Sequence, residues 1–307
     1  MPALHTPPTI LTGHEAAVYA LAPWADGVLS GGGEGWIVHW TPAANTTGRV
    51  VAQLEQPVVA LTVVQSLSLS AKLVAGTLSG DLFWIDPTGK EPPRRWKLHE
   101  DGLFGLVQVD QQLLAVGGKG RLSSWSVESG EMTRFVRLDT VRLRGLAYLT
   151  GPGLLAIGTA NGDIHLVDPA SLRIVHTLAL AHERTVFALV DAGERIYSAG
   201  RDGAIRTWST RAPLTQLAYT AAHAATVNGL ALRQNTLYSV GRDREVRAWG
   251  AREGDDRLAL RKVYTAARDG GHALSVNACC LLSDGLVTAG DDRTLRWWSQ
   301  KGQHERA

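Results

Sequence analysis

The sequence predicts an all-β protein built from repeats, and three observations lead to this prediction. The 33 glycines of the 307-residue chain separate short runs rich in leucine and β-branched residues, which is typical of many short strands joined by turns. An eleven-residue motif, seen as SAGRDGAIRTW at residues 198–208, recurs along the chain. A histidine also precedes the end of this motif by a constant distance. Fixed recurrence of this kind indicates a repeat architecture.

The recurring motif divides the chain into seven repeats of about 43 residues, a period typical of repeat architectures. Five copies end in tryptophan, and in two copies an aliphatic residue takes its place. The motifs end at Trp40, Ile85, Trp125, Val167, Trp208, Trp249 and Trp298. Because seven copies keep one frame, the repeat is a property of the whole chain.

The second marker is a histidine that stands 26 residues before the tryptophan in five repeats. An apolar residue follows four positions later and a small residue six positions later, which is the alternation of a strand that meets a crowded neighbour. The histidines are His14, His99, His182, His223 and His272. The start of each repeat is therefore predicted to lead into a strand.

With these motifs, residues 9–299 resemble the WD-repeat β-propeller family, although the Trp-Asp dipeptide itself is missing. The resemblance implies a seven-bladed β-propeller whose four-stranded antiparallel blades surround a central channel. Residues 1–307 are then expected to form a single domain, with residues 300–307 as a short polar tail. The last repeat has only three strands, so we expect the N-terminal strand near Thr9 to Thr12 to complete the last blade.

The side chains most easily mistaken for an active site belong to the frame that the resemblance implies. In that frame an aspartate accepts a hydrogen bond from a histidine, the histidine bonds a hydroxyl, and the indole N–H completes the network. A Ser-His-Asp catalytic triad would not be copied three times. The expected structural tetrads are His182, Ser198, Asp202 and Trp208; His223, Ser239, Asp243 and Trp249; and His272, Thr288, Asp292 and Trp298.

The other four repeats depart from this set. The first has Glu34 in place of the aspartate, and its longer side chain weakens the case for the same network there. The third keeps His99 and Trp125 but has Ala115 and Lys119 where the hydroxyl and the acid are expected. The second and fourth repeats lack most of the set.

No motif predicts catalysis, a cofactor or a metal site. The glycine-rich stretch GGGEG at residues 31–35 lies in a turn between strands and lacks the following helix that phosphate binding needs. The ten histidines include no pair at zinc-ligand spacing. We therefore expect a protein that is not an enzyme and uses no cofactor. An enzyme with a site in the channel stays a weaker alternative, which would require ionisable residues there that the repeats do not share.

Charge and cysteine usage limit the partners and the compartment. Lysine plus arginine number 31 and the acids 29, so the net charge of +2 provides no overall field for nucleic acid or a membrane surface. Cys279 and Cys280 are adjacent in an apolar run, where a disulfide is not expected. The N-terminal segment has no signal-peptide pattern. We expect a soluble, cytoplasmic protein, for which binding of RNA or a ribosome is the alternative to binding of a protein.

The resemblance also implies that partners bind across the top face of the propeller, at the loop before the first strand and at the turn that holds the aspartate. Arg142, Arg201 and Arg242 fall at such positions in repeats four to six, and Glu183 and Asp291 flank them. Because the arginine fork suits carboxylates and phosphates, we expect an acidic or phosphorylated peptide. The alternative is that these arginines are only solvated or paired with nearby acids.

Four residues are inserted before His272, at positions 268–271, relative to the preceding repeat. Loops on rigid scaffolds often carry recognition. We therefore expect this loop to protrude on the top face beside the arginines, with Arg268 and Asp269 as candidate contacts.

Overall fold

Seven four-stranded antiparallel sheets form the protein, in a computed structural model that describes residues 4–41, 47–68, 70–211, 214–252 and 255–300. In each sheet the strands pair in chain order, except where the N-terminal strand joins the last sheet. The seven-bladed β-propeller predicted from the sequence is thus confirmed. We call the sheets blades 1 to 7 in chain order.

The first three blades follow the N-terminal strand β1 (Thr9–Thr12). They comprise β2 (Val18–Trp24), β3 (Gly27–Gly32), β4 (Trp36–Trp40) and β5 (Arg49–Gln53); β6 (Val58–Val64), β7 (Lys72–Thr77), β8 (Asp81–Ile85) and β9 (Arg94–Lys97); and β10 (Leu103–Val109), β11 (Gln112–Gly117), β12 (Arg121–Ser126) and β13 (Met132–Arg137). A single 3₁₀ turn, Gly118–Gly120, connects β11 to β12.

Blades 4 to 7 repeat this arrangement, and the last blade takes its fourth strand from β1. They comprise β14 (Leu143–Leu149), β15 (Leu154–Thr159), β16 (Ile164–Asp168) and β17 (Arg173–Leu178); β18 (Val186–Asp191), β19 (Arg195–Gly200), β20 (Ala204–Ser209) and β21 (Gln216–Ala221); β22 (Val227–Arg233), β23 (Thr236–Gly241), β24 (Val246–Arg252) and β25 (Asp255–Tyr264); and β26 (Val276–Leu282), β27 (Gly285–Gly290) and β28 (Thr294–Ser299). One helical turn, α1 (Ala266–Asp269), precedes blade 7.

Burial follows the position of a strand within its blade. The second strands are almost wholly buried, and every residue of β3, β23 and β27 is buried. The fourth strands face solvent, as in β13, where five of six residues are exposed. The apolar core therefore lies between neighbouring blades, where large residues such as Trp40, Trp125 and Trp298 are fully buried.

The ring closes through the N-terminal strand. Thr9 lies opposite Trp297 and Thr12 opposite Thr294 in the β1–β28 pair, and Leu4 forms a bridge to Gln300. Leu11 is 3% exposed in the core between blades 7 and 1. The expected completion of the last blade by Thr9–Thr12 is confirmed, whereas residues 301–307 of the expected polar tail lie outside the described residues.

Two further features bear on earlier expectations. No helix in the described ranges has the length and hydrophobicity needed to cross a bilayer. Cys279 and Cys280 are both free thiols, and burial raises the pKa of Cys280 to about 12. The thiol of Cys280 is therefore protonated at neutral pH.

Candidate functional site

The three expected tetrads are each brought together beneath the top of their blade. In blade 5, Nδ1 of His182 lies 3.0 and 3.1 Å from the two carboxylate oxygens of Asp202, and Nε2 lies 2.8 Å from the hydroxyl of Ser198. The indole N–H of Trp208 donates to that hydroxyl at 2.8 Å. The pattern assigns the proton to Nδ1, so that Nε2 accepts from the serine.

Blades 6 and 7 have the same network. His223 lies 2.9 Å from both carboxylate oxygens of Asp243, and His272 lies 2.9 Å from the nearer oxygen of Asp292. The hydroxyls of Ser239 and Thr288 then join imidazole and indole, with all four distances between 2.7 and 2.9 Å. Because all three hydroxyl residues are fully buried, none is exposed to a substrate as a nucleophile would need to be.

An arginine supports the carboxylate of each tetrad, and the sequence interpretation missed it. Arg206 donates to Asp202 at 2.7 Å, whereas Arg247 and Arg296 lie 3.8 and 3.6 Å from Asp243 and Asp292. Burial alone would raise the pKa of Asp202, but hydrogen bonds from His182 and Arg206 outweigh it and hold that pKa well below its usual value. The available signal was an arginine two residues before the tryptophan in three repeats.

Blade 1 also has a closed network, although glutamate replaces aspartate. A carboxylate oxygen of Glu34 accepts from Nδ1 of His14, and the other accepts from the backbone N–H of Ala16 at 3.1 Å. Nε2 of His14 lies 2.6 Å from Ser30, which accepts from Trp40 at 2.7 Å. The longer side chain therefore does not break the network, contrary to what its length suggested.

In blade 3 the histidine bonds a hydroxyl that comes from a different strand. Nε2 of His99 lies 2.9 Å from the hydroxyl of Ser123, which also accepts from the indole of Trp125 at 2.9 Å. Ser123 lies on β12 directly opposite Ala115 of β11, where the hydroxyl was expected. No described residue bonds Nδ1 of His99, because Lys119 stands at the acid position and instead pairs with Glu100.

In blades 2 and 4 a carboxylate pairs with a basic side chain in an arrangement that differs from the tetrad. Arg95 of β9 donates to Asp81 through two nitrogens, at 2.6 and 3.1 Å. In blade 4, Nε2 of His165 lies 2.9 Å from Asp139, and Nδ1 lies 3.0 Å from Thr177. Neither pair was predicted, because neither follows the histidine-to-turn spacing that blades 5, 6 and 7 share.

One group of side chains in the described ranges has the proximity of metal ligands. His223, Asp243 and Glu245 offer atoms within 4.8 Å of one another. However, His223 is bonded to Asp243 and Ser239, and Arg247 forms an ion pair with Glu245 at 2.6 Å. These bonds account for the cluster without an ion.

The predicted arginines lie at the same end of three adjoining blades. Arg142 precedes the first strand of blade 4, and Arg201 and Arg242 follow the second strands of blades 5 and 6, which run in the opposite direction. All three are exposed. Within the part of the chain that the structure describes, their guanidinium groups have no hydrogen bond or ion pair. We call these three residues the arginine arc.

The flanking acids differ in availability. Glu183 is exposed beside the tetrad of blade 5. Asp291 is also exposed, but its carboxylate accepts a hydrogen bond from Asn277 at 2.7 Å. Glu183 therefore keeps its carboxylate free of described partners, whereas Asp291 is held against the first strand of its own blade.

The insertion before His272 does not protrude as a loop. Residues 268 and 269 of the insertion complete α1, whose N-cap is Thr265, and Gly270 follows in the left-handed conformation. Asp269 is 8% exposed and accepts from the backbone N–H of Thr265 at 2.9 Å, so its placement as a surface contact was wrong. Arg296 donates to the carbonyl of Gly270 at 3.0 Å, which ties the insertion to β28. Arg268 is exposed and folds back toward Thr265 at 3.4 Å.

A ring of unlike side chains surrounds the top of the central channel. Each first strand loses register with the second at one bulge, just before the small residue of the repeat. Bulges re-aim side chains, and those at these positions line a channel of about 560 Å³. The ring consists of Tyr19, Val59, Phe104, Arg144, Phe187, Asn228 and Asn277.

Comparison with solved structures finds the same architecture elsewhere. The WD40 β-propeller domain of Doa1 superposes with a TM-score of 0.82 over 98% of both chains at 19% identity. The computationally designed protein Ika8 superposes with a TM-score of 0.69 over 96% of this chain and 100% of its own, also at 19% identity. These likenesses concern the fold.

Comparison of sequences finds more limited matches. A family model described as "WD domain, G-beta repeat" matches residues 262–299. U3 small nucleolar RNA-associated protein 12 of Saccharomyces cerevisiae is 24% identical over 159 residues, which are 48% of this chain and 17% of that protein. The 77 kDa echinoderm microtubule-associated protein of Lytechinus variegatus is 24% identical over 106 residues, 33% of this chain and 16% of its own. The chain thus spans less than a fifth of these relatives.

Proposed function

We propose that this seven-bladed β-propeller is a WD-repeat protein and a non-enzymatic scaffold that binds an acidic or phosphorylated segment of a partner protein on its top face. The observation that carries this proposal is the arginine arc. Three exposed arginines of adjoining blades present guanidinium groups that no described acid neutralises. Such groups form charge-assisted, bidentate hydrogen bonds with carboxylates and phosphates.

The scaffold holds these arginines on rigid elements. The backbone N–H groups of Arg201 and Arg242 each donate at 2.9 Å to the carbonyl of the residue before the first strand of their own blade. Beneath them, the tetrads of blades 5 and 6 fix the same turns through Asp202 and Asp243. Because the backbone is already ordered before a partner binds, the face is suited to recognition by pre-formed contacts.

Three observations support a non-catalytic role, a protein partner and a reducing compartment, in that order. The Ser-His-Asp sets are buried and recur as structural networks. The charge balance of +2 over the whole chain disfavours a broad nucleic-acid surface. The free thiols of Cys279 and Cys280 support a reducing compartment such as the cytoplasm.

Binding of RNA within a larger assembly is the second candidate, and the likeness to a protein named as U3 small nucleolar RNA-associated favours it. A titration of labelled RNA at several salt concentrations separates the two candidates. A basic RNA surface gives a steep decrease in affinity with salt, because each phosphate contact releases counterions. A face that binds peptides gives no RNA binding at physiological salt.

The test of the scaffold function is affinity purification from native cells followed by mass spectrometry. We expect Arg201→Glu/Arg242→Glu to lose the partner that the unaltered protein captures, with an unchanged melting temperature. The matched control is Lys90→Glu/Arg173→Glu, which makes the same charge change at two exposed residues outside the top face. Capture that survives the first double substitution, or that both double substitutions abolish alike, would overturn the proposal.

A further inference from the structure

We infer that the mouth of the central channel binds a carboxylate of the partner segment on the guanidinium group of Arg144. This inference rests on the proposed function and adds the chemistry of one contact. It concerns a residue that the repeat pattern does not single out.

The bulge of blade 4 brings Arg144 to the channel. Register is lost between Leu143 and Leu146, so that two residues, Arg144 and Gly145, stand outside the ladder. In every other blade the bulge contains one residue. Added to Gly145, a Cβ atom would lie 3.2 Å from the carbonyl oxygen of Phe187, so blade 5 closely borders this bulge. Arg144 is thereby directed into the space that the ring encloses.

Two aromatic rings hold the guanidinium group in place. Cζ of Arg144 lies 3.7 Å from the ring centroid of Phe104 and 5.6 Å from that of Phe187. These distances are those of cation–π contacts, which engage the faces of a guanidinium and leave its N–H edges available. The side chain is therefore positioned before any ligand arrives.

The N–H groups of Arg144 have no acceptor in the described part of the chain. By contrast, Arg95, Arg206 and Arg247 each form an ion pair with an acid. Burial, together with the charge of Arg142, lowers the pKa of Arg144 to about 10, so the group is still cationic at neutral pH. A partly desolvated cation without an anion is costly, and a ligand that supplies the anion offsets this cost.

The surroundings favour a carboxylate over a phosphate. Arg144 is the one cationic side chain among the described residues that line the channel, and none of those residues is an acid. The amide of Asn228 donates to the carbonyl of Val276 at 2.8 Å, and that of Asn277 donates to the carbonyl of Val18 at 3.1 Å. Both amides thus link neighbouring blades, and Arg142, whose charge acts on Arg144, does not line the channel. One guanidinium fork matches the single charge and the two oxygens of a carboxylate.

The remaining walls accommodate an apolar neighbour of that carboxylate. Tyr19 of blade 1 and Leu78 of blade 2 also line the channel, and they are 39% and 52% exposed. The channel volume of about 560 Å³ is in the range of small-ligand sites. It suits one or two side chains of an extended segment, with an aspartate, a glutamate or a terminal carboxylate as the charged group.

The test begins with random twelve-residue peptides displayed on phage and selected on the purified, full-length protein. The same library is selected on Arg144→Met, on Arg201→Glu/Arg242→Glu and on the control Arg173→Met, and the melting temperature of each variant is measured. The strongest peptide is then synthesised in its original form, with each acid changed to its amide, with phosphoserine at each acidic position, and with a free or an amidated C-terminus. Dissociation constants are measured for every pair.

We expect one acid-to-amide change, or amidation of the C-terminus, to weaken binding to the unaltered protein by about 10-fold or more, the effect of losing a charge-assisted hydrogen bond. Arg144→Met should weaken binding of the original peptide by a similar factor. On Arg144→Met the same peptide change should alter affinity less than about 2-fold, because the two groups act as one contact.

Three outcomes overturn the inference. The first is that the change in the peptide and Arg144→Met weaken binding independently, so that their factors multiply. The second is that the selected peptides lack an essential carboxylate. The third is that phosphoserine binds more tightly than the acid it replaces. Peptides that bind the unaltered protein and Arg144→Met with equal affinity would refute this contact but not the scaffold function. If the unaltered protein selects no peptide beyond those selected on Arg201→Glu/Arg242→Glu, the proposed function fails and the inference fails with it.

Discussion

The hydroxyl of Ser123 lies 2.9 Å from Nε2 of His99, although it belongs to the third strand of its blade and not to the second. It also accepts from Trp125. We predict that Ser123→Ala lowers the free energy of unfolding by about 1–3 kcal/mol, because a buried indole N–H and a buried imidazole nitrogen lose their partner. Urea denaturation measures this. Ser283→Ala, in an exposed turn, is the control and should change it by less than about 0.5 kcal/mol. Equal effects of the two substitutions would contradict the structural role.

Blade 3 has no acid beside His99, and this predicts that the stability of the protein depends on pH. Burial, aided by the charge of Arg121, lowers the pKa of His99 to about 4. The unfolded chain takes up a proton near pH 6.5 and the folded protein does not, so stability falls as the pH decreases from about 6.5 toward 4, by about 3 kcal/mol in total. His99→Gln should lose less stability over this interval. Denaturation at pH 7, 6, 5 and 4 measures the difference. The exposed His176→Gln is the control, and parallel curves for unaltered protein and His99→Gln would refute the prediction.

The tetrad aspartates predict a second pH dependence of stability, which occurs at lower pH and has a different origin. The folded-state pKa of Asp202 is depressed, so its contribution to stability is present above the unfolded value of about 4 and is lost as the pH falls below it. Asp202→Asn should therefore cost about 1–3 kcal/mol at pH 7 and progressively less below pH 4. The exposed turn substitution Asp110→Asn is the control for thermal melts across this range. Loss of partner capture without loss of stability would argue against a structural role for Asp202.

The repeat pattern was sufficient to predict the frame of the fold. Glycine turns, the spaced histidines and the terminal tryptophans are each required in several blades by the same packing, so they recur in one register. Gly203 illustrates this requirement: its φ is +75°, and a Cβ there would lie 2.6 Å from the carbonyl oxygen of His223. Such constraints act within one blade or between two neighbours, and they are visible as a period.

The parts that could not be predicted depend on side chains that only one blade has. Ser198 lies opposite Arg206 in blade 5, whereas the corresponding pair in blade 3 is Ala115 and Ser123, so the hydroxyl has moved to the facing strand. A comparison of equivalent sequence positions shows that the serine of the second strand is missing, but it does not show that the facing strand supplies the hydroxyl. Arg144 was overlooked because a bulge residue has no partner in the ladder, and its importance depends on aromatic residues contributed by two other blades.

Closure by the N-terminal strand predicts the effect of truncation. Deletion of residues 1–12 removes β1 and leaves the edge of β28 without its antiparallel partner. We expect a lower melting temperature and self-association, because an open strand edge is a template for pairing with another chain. Calorimetry and light scattering measure the two effects. Deletion of residues 301–307 is the control, since it leaves the β1–β28 pairs and the bridge from Leu4 to Gln300 intact. A truncated protein that stays monomeric and melts at an unchanged temperature would show that the ring does not depend on this strand.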